Sequence, residues 1–147
     1  MPPQTESEIT IRDYRTEDQE FIYATLLNHY KHSSLFAKRI RNTIYFKEHQ
    51  NLIKNLFDRG AIKKICCPSN DPVIILGYLI MEGTKTDPVI HFVYVKKAFR
   101  DMGIAELLTG DLDLNNTQFT HWTEDCEWIT NKYPGMKYNP YKLWRNE

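Results

Sequence analysis

The chain has 147 residues, the usual size of one folded domain, and we expect a single domain over residues 1–147. Lysine plus arginine equals aspartate plus glutamate at 19 each, so net charge does not indicate nucleic acid and gives no reason to expect a membrane partner. Hydrophobic content of 41% and aromatic content of 13% exclude a largely disordered chain. No apolar run approaches the roughly 20 residues of a membrane span and no signal peptide is recognisable, so we expect a cytoplasmic protein.

The sequence contains three cysteines, Cys66, Cys67 and Cys126. An odd number cannot form a complete disulfide framework, and adjacent cysteines rarely pair with each other. We therefore expect free thiols, in keeping with a reducing compartment. None lies in a recognisable nucleophile motif, so we also expect them to be dispensable for activity.

The N-terminal third is predicted to form a strand and then helices. Residues 1–7 are polar with two prolines and are expected to be loose. The alternation over Glu8 to Tyr14 predicts the first strand. Thr16 and Gln19 have the spacing of a capping box, which predicts a helix from there to about His32.

A second helical region is predicted to follow Ser33 and Ser34 and to end at Gly60, a typical residue just past a helix end. At about 25 residues it is long for one helix, so a break into two helices near His49 is the alternative. Part of it is basic, which indicates either a solvated face or one side of an acceptor site. Its basic residues are Lys38, Arg39, Arg41 and Lys47.

Three strands are predicted next, over Ile62–Cys67, Val73–Met81 and Val89–Val95. Val73–Met81 is almost wholly apolar, which is typical of a central strand covered on both faces. The short turn from Gly83 to Pro88 predicts that the last two of these strands are adjacent and antiparallel.

The remaining chain is predicted to form a helix from Gly103 to about Leu114, a strand over Thr117–Thr123, a helix from Thr123 to Pro134 and a closing strand within Met136–Trp144. The full order is β-α-α-β-β-β-α-β-α-β. This order predicts an α/β (α+β) fold with a mixed, mostly antiparallel central sheet flanked by helices.

The connection after Val89–Val95 has the residues of an anion site. A basic stretch ending in Arg100 follows the strand, and Gly103 precedes the helix. The first turn of a helix leaves main-chain amides unpaired and carries partial positive charge, and a glycine permits close approach to the backbone. A plain strand–turn–helix connection is an equal alternative on geometry alone.

The order Val95-x-x-x-x-Arg100-x-x-Gly103-Ile104-Ala105 resembles the coenzyme A motif V-x-P-x-x-R-G-x-G-I-(G or A) of the GNAT superfamily, the Gcn5-related N-acyltransferases. The order of elements is similar to the GNAT fold along nearly the whole chain. The resemblance implies acetyl-CoA as a co-substrate, with its pyrophosphate on the turn and its pantetheine arm along the strand. The coenzyme residues it implies are Val93, Tyr94, Val95, Arg100, Asp101, Met102, Gly103, Ile104 and Ala105.

Two positions depart from the motif: Lys97 replaces a proline, and Asp101 replaces a glycine. A carboxylate near a pyrophosphate opposes binding unless it points to solvent. A side chain at Gly103 would occupy the space of the phosphate, so we expect Gly103→Val to abolish coenzyme binding. The fold should suffer less if the torsion angles of Gly103 are ordinary.

Acyl transfer to an amine needs a base for the amine and benefits from an acid for the leaving thiolate. The resemblance places the usual glutamate base at Val89 and the usual tyrosine acid near Thr130, and neither residue can do that work. His91 and Glu82 are the candidate bases and Tyr133 the candidate acid, with Tyr138 as a substitute. Structural roles are the alternative for all of them.

The resemblance implies an acetyl-CoA-dependent N-acyltransferase whose acceptor is a small-molecule or protein amine. A non-catalytic, virion-associated phage protein and a nucleic-acid base modifier are the alternatives. The Thr120–Thr123 strand and the Lys132–Met136 turn resemble small GNAT-like proteins of bacteriophages. His29 and His32 have helical spacing, but no third ligand accompanies them, so we expect no metal site. The sequence leaves the oligomeric state open.

Overall fold

The computed structural model describes residues 8–144, and the predicted loose segment 1–7 lies outside this range. Its strands are β1 (Ile9–Asp13), β2 (Ile62–Pro68), β3 (Gly77–Gly83), β4 (Pro88–Val95), β5 (Gln118–Phe119) and β6 (Lys137–Tyr138). Its helices are α1 (Gln19–Ser33), α2 (Leu35–Lys38), α3 (Asn42–Asp58), α4 (Ile104–Thr109) and α5 (Cys126–Lys132). Within the described range, no helix combines the length and the apolarity that crossing a bilayer requires.

The strands form one sheet in chain order from β1 to β6. Pairing is antiparallel from β1 through β4 and parallel between β4, β5 and β6. The predicted mixed sheet is therefore confirmed, and so is the antiparallel pairing of its two central strands. The start of β3 was predicted too early, because Val73 is 78% exposed. The N–H of Ile74 donates to the carbonyl of Asp71, so the chain is still turning there.

Two apolar cores cover the two faces of the sheet. Successive residues of β3 alternate between them, with Tyr78 and Ile80 in one and Leu79 and Met81 in the other. The first core contains the buried side chains of α1 and α3, and the second contains those of α4 together with Cys126 of α5. The sheet is therefore a central layer between helices, as predicted.

The predicted helix boundaries need two corrections. The long helical region breaks between Lys38 and Asn42, and not near His49, which lies buried inside α3. Ser34 does cap α2, since its hydroxyl accepts the N–H of Ala37 at 3.3 Å.

The capping-box spacing predicted that Thr16 caps the first helix, and this prediction is also wrong. Residues Thr16–Asp18 form a short 3-10 helix, and α1 begins after it at Gln19. The carboxylate of Asp18 accepts the N–H of Arg15 at 2.7 Å, so this acid caps the 3-10 helix that leads into α1.

The elements after β4 are shorter than predicted. α4 ends at Thr109, where Leu114 was expected, and β5 has two residues, not seven. The predicted closing strand is reduced to β6, because Pro140 begins a 3-10 helix that continues to Leu143. Proline at the start of a helical turn is favourable and cannot continue a strand ladder.

A buried ion pair joins β1 to the start of α1. The guanidinium of Arg12 donates two hydrogen bonds of 2.8 Å to the two carboxylate oxygens of Asp18. The side chains are only 10% and 6% exposed. The hydrogen bonds from Arg12 hold the pKa of Asp18 below its usual value against the opposing effect of burial.

We expect Asp18→Asn to lower the free energy of unfolding by about 3 kcal/mol, because it leaves the buried guanidinium of Arg12 without its counter-charge. The folded pKa of Asp18 is depressed, so its stabilisation is complete above the unfolded value and is lost as pH falls through the folded value. Denaturant unfolding at pH 7 and at about pH 3 measures both effects. Asp13→Asn is the control, because that carboxylate is 87% exposed; an equal loss there would contradict the assignment.

Candidate functional site

A cleft opens where β4 and β5 separate. The two strands pair only at Val89 with Gln118 and at Ile90 with Phe119. Beyond that point lies a cavity of about 230 Å³, which we call the splay cavity. It lies between both strands, α4 and α5, and its lining includes His29, Phe92, Val93, Ala105, His121 and Tyr133.

A β-bulge shapes this cleft. On β3, Ile80 pairs with Phe92 and the next residue, Met81, pairs with Ile90, so His91 is an extra residue in β4. Ile90 and Phe92 consequently pack in opposite cores, although regular alternation would put them on one face. Regular alternation would also place Val89 and His91 on one face of β4, but alternation does not hold across a bulge.

The turn after β4 presents a row of main-chain N–H groups. Within residues 8–144, the N–H groups of residues 101–106 have no hydrogen-bond acceptor. The guanidinium of Arg100 donates to the carbonyl of Val95 at 3.1 Å, which fixes one side of the turn. Unpaired amides beside left-handed residues form a concave anion site. The turn has the donors that a pyrophosphate would need.

The backbone of this turn explains one departure from the coenzyme motif. Asp101, at a glycine position of the motif, has φ = 67°. This left-handed conformation is natural for glycine, and aspartate tolerates it better than most residues. Asp101 is exposed.

Gly103 also has a positive φ, 82°, and a β-carbon there would meet nothing within 4 Å. The condition attached to Gly103→Val therefore fails: its torsion angles are not ordinary, and valine would strain the fold as well as block the turn.

The two candidate bases are hydrogen-bonded to each other. The Nε2 atom of His91 lies 2.8 Å from Oε1 of Glu82. Arg59 donates to both oxygens of the same carboxylate, at 2.6 and 2.9 Å. Burial acts to raise the pKa of Glu82, but the hydrogen bonds from Arg59 and His91 outweigh it and hold the pKa at about 2. Glu82 is ionised at neutral pH.

The hydrogen bonds continue from His91 through the core. Its Nδ1 atom lies 3.0 Å from the hydroxyl of Thr120, which lies 2.9 Å from Nδ1 of His121. The Nε2 atoms of His121 and His49 are 2.8 Å apart. Burial lowers the pKa of His91, of His121 and, to about 4, of His49. All three imidazoles are neutral at pH 7.

The predicted catalytic residues differ in their freedom to act. Both ring nitrogens of His91 are engaged, and it is 1% exposed. Tyr133 lines the splay cavity, and Tyr138 packs against Phe119. Thr130, at the usual acid position, donates its hydroxyl to the carbonyl of Cys126 in its own helix.

His29 is the residue that the sequence interpretation missed, because it was weighed there only as a metal ligand. It lines the splay cavity with its ring edge-on to Phe92 and Tyr94. Its side chain has no hydrogen-bond partner within residues 8–144. Burial, together with the positive charge of Arg100, lowers its pKa. A neutral imidazole facing a cavity can accept a proton.

Cys66, Cys67 and Cys126 are free and buried. Burial raises the pKa of Cys66 to about 11 and also raises that of Cys126, which disfavours a nucleophilic thiolate. Over residues 8–144, no cluster of three His, Cys, Asp or Glu side chains could hold a metal ion.

Comparison with solved structures gives the fold a name. The chain is similar to a candidate acetyl transferase from Pyrococcus furiosus (21% identity, TM-score 0.56, 93% of this chain and 89% of that chain covered). It is similar to a GCN5-related N-acetyltransferase from Rhodopseudomonas palustris (13% identity, TM-score 0.57, 89% and 84% covered). A possible acetyltransferase from Clostridium difficile 630 matches at 18% identity and TM-score 0.50, with 90% and 79% covered.

No protein-family model matches the sequence, and no curated protein matches it. At these identities the structural likeness concerns the fold alone. Residues 8–144 have the fold of the GNAT acetyltransferases.

Proposed function

We propose that the protein is an acyl-CoA-dependent N-acyltransferase that moves an acetyl group to an amine. The observation that carries the proposal is the row of unpaired N–H groups over residues 101–106 beside a cavity at the β4–β5 separation. Six donors and the adjacent Arg100 suit a pyrophosphate, and the cavity suits a narrow chain attached to it. The fold supports the same function.

The turn can hold the coenzyme, although the carboxylate of Asp101 opposes a pyrophosphate. The free amides, together with the open space at Gly103, would hold the pyrophosphate. Val93 and Ala105 on the cavity wall would flank the pantetheine arm. Asp101 adds a negative charge to the turn, and its exposure lets solvent screen that charge. Acetyl-CoA would supply the acyl thioester.

The residues of the splay cavity can perform the proton transfers. His29, neutral and without a side-chain partner among the described residues, would take a proton from the amine nitrogen as that nitrogen bonds to the thioester carbon. Main-chain N–H groups at the β4 bulge would stabilise the oxyanion. The C–S bond then breaks, and Tyr133 would give the leaving thiolate its proton. His91, which also lines the cavity, and Glu82 behind it would act as supporting groups.

A non-catalytic binding protein of the same fold is the second candidate. Asp101 in the turn and the internally bonded Thr130 favour it. The nucleic-acid base modifier rests only on the basic residues of the helical region, and all of them are exposed, as on an ordinary solvated face. The bacteriophage likeness, the cytoplasmic location and the nature of the acceptor stay predictions.

We expect the wild-type protein to bind acetyl-CoA with a Kd below about 1 mM in calorimetry. Asp101→Gly should bind with equal or higher affinity, because it removes a nearby negative charge and a left-handed non-glycine residue. It should also raise the free energy of unfolding by up to about 1 kcal/mol.

Asp101→Asn is the matched control for these two effects, since it removes the charge and keeps a residue that tolerates the backbone. Binding by Asp101→Gly alone would mean that the wild-type chain has lost its coenzyme. If neither wild type nor Asp101→Gly binds, the acyltransferase proposal is wrong.

We expect His29→Gln to lower kcat/KM by about 100-fold, because glutamine cannot accept a proton. The pKa of His29 is lowered, so wild-type kcat/KM should fall with decreasing pH on a limb that lies below about 6.5. The variant should lose that limb. Release of the coenzyme A thiol from acetyl-CoA, with a panel of primary amines as acceptors, measures the rates.

His32→Gln is the control for this experiment, because the His32 ring is exposed and bonds to the carbonyl of Asn28 in its own helix. An unchanged pH limb in His29→Gln would remove His29 from the mechanism.

A further inference from the structure

A second cavity, of about 420 Å³, lies between the helices and the C-terminal segment. We call it the α3 cavity; α3 contributes Tyr45, Glu48 and His49 to its wall. It shares no lining residue with the splay cavity. Its lining is mostly apolar, and it is rich in aromatic rings: Tyr30, Phe36, Tyr45, Tyr138, Tyr141 and Trp144.

The charge in the lining of this cavity is negative. Glu48 is the one carboxylate in its lining within the described chain, and no described lysine or arginine lines it. The ammonium of Lys31 lies over the ring of Tyr45 at 5.1 Å, but it is bonded to the carbonyls of Ala37 and Ile40 and does not line the cavity. Aromatic faces and a single carboxylate attract an organic cation.

His49 supplies a ring nitrogen that has no hydrogen-bond partner within residues 8–144. The residue is 8% exposed and lies between the rings of Tyr30 and Tyr45, with centroids at 5.1 and 5.3 Å. Its Nε2 atom is bonded to His121, and its Nδ1 atom has no partner within residues 8–144. No fully buried side-chain atom of the described chain lacks a partner, so Nδ1 retains accessible surface, and the α3 cavity is the space that His49 lines.

The line of hydrogen bonds determines which ring nitrogen of His49 carries the proton. The ionised Glu82 can only accept, so His91 donates from Nε2 and its Nδ1 must accept. Thr120 therefore donates its hydroxyl proton to His91 and accepts from Nδ1 of His121.

The same logic continues along the hydrogen bonds to His49. The neutral imidazole of His121, already donating from Nδ1, has a bare Nε2, which accepts from Nε2 of His49. The remaining nitrogen of His49, Nδ1, then carries a lone pair. The carboxylate of Glu82, at one end of this line of hydrogen bonds, thus determines that an acceptor, Nδ1 of His49, faces the α3 cavity at the other end.

We propose that the α3 cavity binds a small apolar or aromatic ammonium compound, which donates a hydrogen bond to Nδ1 of His49 while Glu48 and the aromatic rings balance its charge. The apolar wall would hold the body of the ligand, and the ammonium group would donate to the acceptor at Nδ1. This site does not depend on the proposed acyl transfer, because its binding is measured without coenzyme.

The direct test is a titration of the isotope-labelled protein with 2-phenylethylamine, followed by NMR. We expect a Kd of about 1 mM or tighter and shifts at Tyr45, Tyr141 and Trp144. The anion 3-phenylpropionate, of similar size, should bind at least about tenfold more weakly. Equal binding of the two compounds, no binding of the amine, or shifts confined to Trp128 and Tyr133 of the splay cavity would overturn the proposal.

Two variants, each lacking one carboxylate, test whether the charge of Glu48 attracts the ligand. Glu48→Gln, on an exposed side chain, should weaken amine binding by about threefold to tenfold. Glu106→Gln removes a carboxylate from the lining of the splay cavity and should leave binding unchanged. Weakening by Glu106→Gln alone would place the ligand in the other cavity and overturn the proposal.

Thr120→Val tests the hydrogen-bond chain, since valine keeps the shape and removes the hydroxyl. In the wild type, nitrogen chemical shifts should show His49 as the Nε2–H tautomer. In Thr120→Val the Nδ1–H tautomer should become populated and the amine should bind more weakly, because Nδ1 then no longer accepts. Wild-type His49 with its proton on Nδ1 would overturn the assignment, whatever the stability of the variant.

Discussion

The contact between Arg59 and Glu82 is the interaction on which the buried line of histidine hydrogen bonds depends. Arg59 follows the last turn of α3, and Glu82 is near the end of β3. The same guanidinium donates to the carbonyls of Lys142 and Leu143 at 2.9 Å, so it also ties the C-terminal segment to the sheet. A buried ion pair of this kind contributes little net stability. Its effect here is to place a permanent anion beside His91.

That anion orders a line of neutral side chains. Without it, each imidazole could carry its proton on either nitrogen and the chain could run in either direction. Because Glu82 is held ionised, a single pattern of donors and acceptors extends across β3, β4, the segment after β5 and α3. Buried polar networks are costly when incomplete, and within residues 8–144 no fully buried side-chain polar atom lacks a partner. The structure therefore supports a network that is ordered from one end.

The sequence predicted the sheet better than the elements after it. The apolar β3 and β4 and the turn between them depend on local patterns, which one sequence displays clearly. β5 and β6 have two residues each, and their place in the sheet depends on long-range packing that no local pattern records. The break before α3 was displaced for a related reason: the buried position of His49 inside α3 is decided by a partner 72 residues away, which the local sequence does not show.

The candidate site was predictable where the residues of a motif are required by a particular backbone geometry. The turn from Arg100 to Ala105 could be located because its arginine and its glycine serve one geometry, and Asp101 adopts the left-handed backbone of the glycine it replaces. The histidines could not be assembled in the same way. His29, His49, His91 and His121 come from four separate segments, and the bulge at His91 cancels the alternation that would have been used to orient it.

The shortness of β6 has a consequence for how the molecule behaves in a crowded solution. An exposed sheet edge offers unpaired backbone groups to any other chain, and long edges promote association. This edge presents only Lys137 and Tyr138 before Asn139 and Pro140 turn the chain away. A lysine and a nearby proline are common protections against edge-to-edge pairing. A two-residue edge strand thus offers another chain little backbone to pair with.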